Sequence, residues 1–279
     1  LPRACRRRRH LRPGLAVQVS AMRINALILA AGYAVRLHPL TIDTPKPLLP
    51  VAGRPLLDYM LDELRAIPDV GRVVVVTNHR FASHFEAWAR ATPAAGSWPI
   101  DVIDDGTTSN DDRLGAIGDL GRVLDEIPEL FDDSLFVLAG DNLVDFRLAD
   151  LVATFRGHGG DASVVALVRS DDLPTLRRSG VVTIGPDGRV TGFVEKPSDP
   201  PSDLVCPAFY VYGRSALARV PEYLASGEPP DAPGNLVAWM HARLPVYGHV
   251  FAEPRYDIGT LENYREVCAI FEARARGRG

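Results

Sequence analysis

The sequence predicts a single α/β domain, in which a mostly parallel mixed sheet carries helices on both of its faces. Two observations support this fold class. Predicted strands at Ile24 to Ala31, Val73 to Thr77 and Ile100 to Asp104, the first two mainly apolar, alternate with segments of helical periodicity. Such alternation is typical of strand–helix–strand crossovers, which produce parallel sheets. The chain has 279 residues and is 46% hydrophobic, so it is long enough to bury one large core.

Helices are predicted between these strands. Leu57, Met60, Leu61 and Leu64 form an apolar stripe at helical spacing, which predicts a helix over Leu56 to Ile67. A second helix is expected over residues 81–91, and a third within residues 107–124. This third helix leads into a predicted strand over residues 135–139.

The second half of the sequence is richer in strands. A turn at residues 186–188, Pro-Asp-Gly, joins two of them into a predicted hairpin. The predicted strands cover residues 163–168, 180–185, 189–197, 208–212 and 246–251, and the predicted helices cover about 215–225, 236–243 and 261–275. No internal repeat is present, so repeat architectures are excluded.

The first 23 residues differ in composition from the remainder. They hold seven arginines and no acidic residue; because the whole chain has a net charge of −4, residues 24–279 carry about −11. We expect this basic leader to be disordered or to lie upstream of a true start at Met22. A secretory signal is disfavoured, because Gln18 and Ser20 interrupt its short apolar stretch.

Composition also limits the classes of function. An acidic body argues against general nucleic-acid binding, and no apolar run approaches the ~20 residues that cross a bilayer. Three scattered cysteines are too few for a disulfide framework, which favours a cytoplasmic protein. The seven histidines lack the spacing of zinc hydrolases, and no G-x-S-x-G elbow occurs.

The segment from Leu27 to Val51 carries the most specific chemistry. Gly32 follows the first strand and has no side chain, so backbone N–H groups of the next loop can approach anionic oxygens. Arg36 offers a planar set of donors to phosphate, and Lys46 presents a point charge between two stiffening prolines. A lone glycine here is usually only a turn, but the ordered series indicates a polyphosphate site. The dinucleotide fingerprint G-x-G-x-x-G is absent, which disfavours a nicotinamide dehydrogenase.

Two aspartates, far apart in sequence, follow predicted strands. Asp141 stands just past the strand over residues 135–139, and Asp257 follows the last predicted strand. Open α/β sheets bind ligands at the carboxyl ends of their strands. Mg²⁺ takes a few carboxylate oxygens together with phosphate oxygens and water, so two converging aspartates would suffice to hold it. Taken alone, each aspartate is more often a turn residue.

The opening segment resembles the signature of the sugar-1-phosphate nucleotidyltransferases, or NDP-sugar pyrophosphorylases, which reads G-x-G-T-R-L-x-P-L-T followed by P-K-P-L-L-P-V. The matching positions are Gly32, Arg36, Leu37, Pro39, Leu40, Thr41 and Pro45 to Val51. Two positions depart from it, because Ala34 replaces the second glycine and Val35 replaces the threonine. The resemblance covers nearly all of Ala26 to Val267.

This resemblance implies a Rossmann-like, GT-A-like nucleotidyltransferase fold in one domain over residues 24–276. A nucleotide-binding half would cover about residues 24–145, a sugar-phosphate-binding half about 146–260, and a closing helix residues 261–275. The implied cofactor is Mg²⁺, held by Asp141 and Asp257. Residues implied to act in catalysis are Arg36, Lys46, Asp141 and Lys196. The implied nucleotide-binding residues are Ala30, Ala31, Gly32, Tyr33, Arg36, Asn110 and Gly115. Those implied to bind the sugar phosphate are Asn142, Gly180, Glu195 and Lys196.

The family places a glycine-centred turn, often L-G-T-A-G-A, against the nucleobase. Leu114, Gly115 and Gly118 fit this pattern, while Asp119 replaces its last alanine. The pattern does not identify the base. Capping of the following helix by the acids at residues 111 and 112 explains this segment equally well.

The implied reaction transfers a nucleotidyl group from a nucleoside triphosphate to a sugar 1-phosphate, giving an NDP-sugar and pyrophosphate. One alternative is a cytidylyltransferase acting on phosphocholine or another non-sugar phosphate, but the block Glu195 to Pro197 favours a sugar. Another is a catalytically idle regulatory paralogue, prompted by Ala34 and Val35, although the intact cations and acids argue against it. The expected partners are therefore the two substrates, and homo-oligomers are common in the family.

Overall fold

The structure is a computed structural model that describes residues 23–277, with the side chain of Asp257 excepted. The predictions for the basic leader therefore fall outside the described residues, apart from Arg23. The strands are β1 Ile24–Leu29, β2 Pro50–Val51, β3 Arg54–Pro55, β4 Val70–Thr77, β5 Ile100–Asp104, β6 Ser134–Ala139, β7 Asn142–Val144, β8 Ser163–Arg169, β9 Gly180–Ile184, β10 Val190–Glu195, β11 Leu204–Cys206, β12 Phe209–Tyr212, β13 Val246–Phe251 and β14 Arg255–Asp257. The helices are α1 Leu56–Arg65, α2 Ala82–Ala91, α3 Ala116–Glu126, α4 Leu148–Gly157, α5 Leu173–Arg177, α6 Arg214–Leu217, α7 Val220–Ala225, α8 Pro233–Met240 and α9 Leu261–Arg276.

One ten-stranded sheet forms the centre of the described chain, in the order β10-β9-β11-β8-β12-β6-β1-β4-β5, with β13 beside β8. The strands β6, β1, β4 and β5 run parallel, as β13 does with β8. The remaining pairings, among β12, β6, β8, β11, β9 and β10, are antiparallel. The mixed sheet in a single α/β domain is confirmed. Its parallel part is concentrated in the first half, because hairpins and returning strands replace helical crossovers in the second.

The two faces of the sheet carry separate apolar layers. Leu27 of β1 packs in one cluster with residues of α3, α7 and α8. Its neighbours Ala26 and Ile28 pack on the other face with residues of α1, α2 and α4. Side chains of one strand point alternately to opposite faces, so each strand supplies both layers. Helices therefore cover both faces, as the sequence predicted.

A third apolar cluster lies beside the sheet and fastens the loop that follows β1. Leu37, Leu49, Leu143 and Ile258 are buried in it with Val267 of α9. The hydroxyl of Tyr264, also on α9, donates to the Pro50 carbonyl at 2.6 Å. Burying one such aliphatic side chain stabilises the fold by roughly 1.5–3 kcal/mol. The closing helix therefore holds the loop in place from outside the sheet.

Several boundaries differ from the sequence-based expectations. Strand β1 ends at Leu29 rather than Ala31, and α4, α5, β7 and β11 had not been anticipated. The helix expected over residues 215–225 is split into α6 and α7, with Pro221 in the first turn of the second. Proline lacks the N–H that a continuous helix needs, so it starts a new helix instead. For the same reason α8 begins at Pro233, three residues before the expected start.

No helix between residues 23 and 277 combines the length and the apolar character that spanning a bilayer requires.

Candidate active site

Two cavities lie side by side at the carboxyl ends of the parallel strands. The first, about 340 Å³, borders the loop after β1 and the start of α3. The second, about 610 Å³, borders β9, β10 and the start of α8. Residues that border both are Arg36, Ala139, Asp141, Pro233 and Gly259. The two cavities therefore meet at a cation and a carboxylate, and we call them the nucleotide cavity and the sugar cavity after their predicted ligands.

The loop after β1 forms one wall of the nucleotide cavity. Ala30, Ala31 and Gly32 border it as predicted. The Asn78 side-chain amide donates to the Ala31 carbonyl at 2.9 Å, which fixes the loop to the end of β4. Ala34 adopts a left-handed conformation, with φ 47° and ψ 39°, and its carbonyl accepts from the Thr41 hydroxyl at 2.9 Å. Alanine thus occupies a conformation that favours glycine, which is what the family signature has at this position.

Two cations face the junction of the cavities from different environments. The Arg36 side chain is exposed and borders both cavities. In the described part of the chain, it has no carboxylate partner. Lys46 is only 7% exposed, and its Nζ lies 2.8 Å from Oδ2 of Asp141. Arg36 is therefore free to bind an anion, whereas Lys46 already holds an acid.

Asp141 stands at the bend between β6 and β7, where both cavities meet. Burial alone would raise the pKa of its carboxyl, but the charge and hydrogen bond of Lys46, together with Arg255, lower the pKa below its usual value. The Asn142 amide donates to Oδ1 of Asp141 at 2.8 Å, and Arg255 donates to Asn142 Oδ1 at 3.0 Å. Asp141 is therefore held ionised and oriented. The contribution of Arg255 was not visible in the sequence.

Asp257, the second predicted metal ligand, lies on β14. Its backbone pairs with that of Asn142 on β7, the residue next to Asp141. The fold thus brings the backbone of Asp257 opposite the residue that follows Asp141, although the two aspartates are 116 positions apart in sequence. Its side chain lies outside the described part of the structure. Within the described part of the chain, no group of three or more His, Cys, Asp or Glu is placed so that it could hold a metal.

The sugar cavity contains three of the predicted sugar-phosphate residues, namely Asn142, Gly180 and Glu195. Burial raises the pKa of the Glu195 carboxyl, and the neighbouring Lys196 opposes this shift. A Cβ at Gly180 would lie 3.1 Å from Glu195 Oε2, and one at Gly234 would lie 2.7 Å from the same oxygen. The atom nearest to either Cβ belongs to the Phe193 ring, so both glycines let Phe193 and Glu195 pack closely against the backbone.

Three predicted residues border neither cavity in the described structure. The Tyr33 hydroxyl is 3.4 Å from the Thr107 hydroxyl, so its side chain packs inside the loop. Asn110 offers its carbonyl to Arg113. Lys196 has a left-handed φ of 48°, and its exposed side chain places Nζ 3.6 Å from Glu195 Oε1. Of these three, Lys196 stays close to the sugar cavity through its contact with Glu195.

The other end of the nucleotide cavity is built by the start of α3. Gly115 has a φ of 79°, and a Cβ there would lie 2.7 Å from the Pro230 carbonyl. The N–H groups of Ala116 and Ile117 donate to the carbonyls of Asp231 and Pro230 at 3.2 and 2.9 Å. Backbone carbonyls therefore cap α3, and glycine permits their close approach.

The capping role considered for Asp112 is therefore wrong for this helix. Its carboxylate accepts the N–H groups of Thr108 and Ser109 at 3.0 and 2.8 Å, within the preceding turn. These hydrogen bonds lower the pKa of Asp112 to about 2. Asp112 therefore stabilises the preceding loop, and the backbone carbonyls of residues 230–231 cap the start of α3.

Two further acids border the nucleotide cavity and were not predicted as site residues. Asp105 follows β5, and Asp119 lies in the first turn of α3. They are 9% and 6% exposed. Burial, and then the charge and hydrogen bond of Asp105, raise the pKa of Asp119 to about 8. The cavity thus has cations at one end and a buried pair of carboxyl groups at the other.

Comparison with known proteins agrees with this geometry. The family model described as nucleotidyl transferase matches residues 25–274. Mannose-1-phosphate guanylyltransferase of Mycobacterium tuberculosis is 31% identical over 241 residues, which are 86% of this chain and 62% of the relative. UTP–glucose-1-phosphate uridylyltransferase of Synechocystis sp. is 27% identical over 249 residues, 86% of this chain and 61% of the relative. The chain thus spans about three fifths of the length of these curated relatives.

Solved structures share the fold. UDP-glucose pyrophosphorylase complexed with UDP-glucose superposes with a TM-score of 0.75 at 20% identity, covering 91% of this chain and 100% of that chain. A glucose-1-phosphate thymidylyltransferase from Bacillus anthracis, described as putative, gives a TM-score of 0.71 at 22% identity, covering 89% and 95%. At such identities the likeness concerns the fold alone. Because the family model covers most of the chain, however, the protein belongs to the nucleotidyl transferase family.

Proposed function

We propose that this protein transfers a nucleotidyl group from a nucleoside triphosphate to a sugar 1-phosphate, releasing pyrophosphate and forming an NDP-sugar. The observation that carries this proposal is the junction of two cavities at Arg36 and Asp141. A triphosphate in one cavity and a sugar phosphate in the other would meet there. Relatives named for this reaction support the assignment.

In the reaction, an oxygen of the sugar phosphate forms a bond to the α-phosphorus of the nucleotide. The bond from that phosphorus to the oxygen bridging it to the β-phosphorus breaks, and its electrons leave with pyrophosphate. No protein nucleophile is needed, since holding two reactants in line can supply roughly 7–11 kcal/mol of the barrier reduction. The protein must then position two polyanions and offset their repulsion.

The chain's cations are placed for this task. Arg36 has an exposed guanidinium at the junction and would bind the β- and γ-phosphates, because its planar donors match phosphate oxygens. Lys46 would neutralise charge at the leaving group or the attacking oxygen. Its pairing with Asp141 at 2.8 Å keeps it in place before substrate arrives.

Asp141 fits the proposed role of a magnesium ligand, together with Asp257. Its carboxyl group is ionised and borders both cavities, and the Asp141 side chain is 42% exposed. Oxygen ligands of this kind suit Mg²⁺. When bound, the ion would offset negative charge on the α-phosphate. The backbone pairing of Asp257 beside Asp141 supports the second ligand.

On the sugar side, Glu195 would accept hydrogen bonds from hydroxyls of the sugar ring. A carboxylate can accept from two neighbouring hydroxyls, and Glu195 borders the sugar cavity together with the glycines at 180 and 234. Lys196, which contacts Glu195, would bind the sugar phosphate. Phosphocholine carries no hydroxyl to donate to Glu195, but its cationic headgroup would attract this carboxylate, so phosphocholine is included in the test of activity.

The names of the relatives leave the nucleobase and the sugar open, since they include guanylyl and uridylyl transfer and mannose and glucose 1-phosphates. Cytoplasmic location is also part of the proposal, supported by Cys206 and Cys268, which are free thiols. Homo-oligomerisation stays a prediction.

Pyrophosphate release over a grid of nucleoside triphosphates and sugar 1-phosphates, with phosphocholine included, tests the proposal. We expect turnover with at least one sugar 1-phosphate and none with phosphocholine. Release with phosphocholine alone would establish the cytidylyltransferase alternative. No release with any pair would favour the idle paralogue.

A further inference from the structure

The nucleotide cavity is electrostatically polarised. Arg36 and the Lys46–Asp141 ion pair border one end, where the loop after β1 and the end of β6 lie, so Arg36 supplies the net positive charge there. Asp105 and Asp119 border the other end, beside the start of α3. A nucleoside triphosphate bound here would place its phosphates against the cations, because like charges repel. Its base would therefore lie toward the two acids.

These two carboxyl groups form an unusual pair. Asp105 and Asp119 are both more than nine-tenths buried, and they lie within hydrogen-bonding reach of each other. Asp105 Oδ1 accepts the Thr107 N–H at 2.7 Å. Within residues 23–277, Oδ2 of Asp105 and Oδ1 of Asp119 have no hydrogen-bond partner. Burying two neighbouring carboxyl oxygens that have no other partner costs free energy. One proton shared between these two oxygens is the simplest way to stabilise them.

Among the described residues that border the cavity, no cation forms an ion pair with Asp105 or Asp119. Arg113 borders the same cavity, but its guanidinium donates to Asp231 Oδ1 at 3.3 Å and to the Asn110 carbonyl at 2.9 Å. The pair therefore keeps one proton between its two carboxyl groups and one negative charge at the wall of the cavity. In hydrogen-bonding terms it offers acceptor oxygens to a ligand.

We propose that Asp105 and Asp119 read the nucleobase and select guanine, an inference that rests on the proposed nucleotidyl transfer. Along its Watson–Crick edge guanine presents an acceptor, O6, followed by two donors, N1–H and N2–H₂. The acceptor oxygens of the pair match the two adjacent donors, N1–H and N2–H₂. Uracil and thymine place a second acceptor where guanine has its amino group, which would face a carboxylate oxygen. Adenine and cytosine present an acceptor at the position of N1–H.

Nucleoside diphosphate binding to the full chain, measured by titration calorimetry with Mg²⁺, tests this inference. IDP differs from GDP only in lacking the 2-amino group. We expect GDP to bind about tenfold more tightly than IDP, the effect of one hydrogen bond to a charged acceptor. UDP and dTDP should bind at least as weakly as IDP.

Two variants and one control complete the test. Asp105→Asn can keep its bond to the Thr107 N–H through the amide oxygen, and we expect its GDP-to-IDP ratio to fall below threefold. Asp119→Ala should reduce the preference for GDP over UDP at least fivefold. Asp125→Asn makes the same chemical change as Asp105→Asn at an exposed place on α3, and it should preserve both ratios. Thermal unfolding would show that each variant is folded.

Equal binding of GDP and IDP, tighter binding of UDP, or unchanged ratios in both cavity variants would overturn the inference. Such results are distinct from failure of the proposed function. Pyrophosphate release with UTP in preference to GTP would preserve nucleotidyl transfer and refute guanine selection. Selective GDP binding without any turnover would support guanine selection and refute nucleotidyl transfer.

Discussion

Replacement of Asp119 by asparagine should change how the stability of this protein depends on pH. Asp119 is 6% exposed, and its pKa is raised from 3.8 to about 8 by burial and by Asp105. Between these two values the folded state keeps a proton that the unfolded state has lost. The free energy of unfolding must therefore fall as pH rises through this window, and the contribution is fully present only below the unfolded pKa.

The magnitude follows from one proton per molecule. Each pH unit inside the window costs about 1.4 kcal/mol, so stability should drop by roughly 2–3 kcal/mol between pH 5.5 and 7.5 from this group alone. Asparagine carries no titratable proton. Asp119→Asn should therefore lack this component, and its stability should decline less steeply over the same range.

Urea unfolding at pH 5.5, 6.5 and 7.5 would measure the effect for the unsubstituted protein, for Asp119→Asn and for Asp125→Asn. Titrating groups away from Asp105 and Asp119 contribute equally to all three, so the difference between the curves reports the proton that this pair holds. The Asp125→Asn curve should run parallel to that of the unsubstituted protein. If the Asp119→Asn curve also runs parallel, within ~0.5 kcal/mol, the buried carboxyl does not hold a proton and the reasoning is refuted.

Three further substitutions test separate parts of the site. Gly115→Ala should destabilise the fold by about 1–3 kcal/mol more than Gly227→Ala. Both glycines have a φ near 80°, but only a Cβ at Gly115 would meet the backbone of residues 230–231. Equal unfolding midpoints for the two variants would contradict this close approach of the two backbones. Lys46→Met should lower kcat/KM at least 100-fold, because the substrate anions and Asp141 lose a buried cation. Arg90→Met, at an exposed position on α2, is the control. Similar values of kcat/KM for the two variants would exclude a role of Lys46 in neutralising substrate charge. Glu195→Gln should raise the KM for the sugar 1-phosphate at least tenfold and change the KM for the nucleotide little. Glu129→Gln, at an exposed position, is the control and should change neither KM. An unchanged KM for the sugar 1-phosphate in Glu195→Gln would exclude a role of Glu195 in binding the sugar.

The first half of the fold was predictable because its strands and helices carry clean periodicities. The run at Ile24 to Leu29 is apolar except at Asn25, since it supplies both faces of a parallel sheet, and the apolar stripe on α1 has helical spacing. Arg36, Lys46 and Asp141 could be predicted as site residues because short local motifs contain them. All three border the nucleotide cavity, as expected of neighbours in a motif and at a strand end.

The remainder depended on long-range packing that a sequence does not display. The order of the antiparallel strands, with β12 between β6 and β8, has no local signal. Asp105 and Asp119 are separated by other acids in a polar run, and only the meeting of β5 with α3 makes them a pair. The capping of α3 by the backbone near Pro230 likewise involves carbonyls, which carry no residue-type signature.

The most direct measurement compares turnover of the unsubstituted protein and Asp141→Asn with Mg²⁺, at saturating concentrations of an active triphosphate and sugar 1-phosphate pair. Asp141 borders both cavities and is held ionised by Lys46, so neutralising it should lower kcat at least ~10²–10³-fold. Asp125→Asn should stay within twofold of the unsubstituted protein. Turnover of Asp141→Asn within fivefold would contradict the proposal that the two substrates react at this junction.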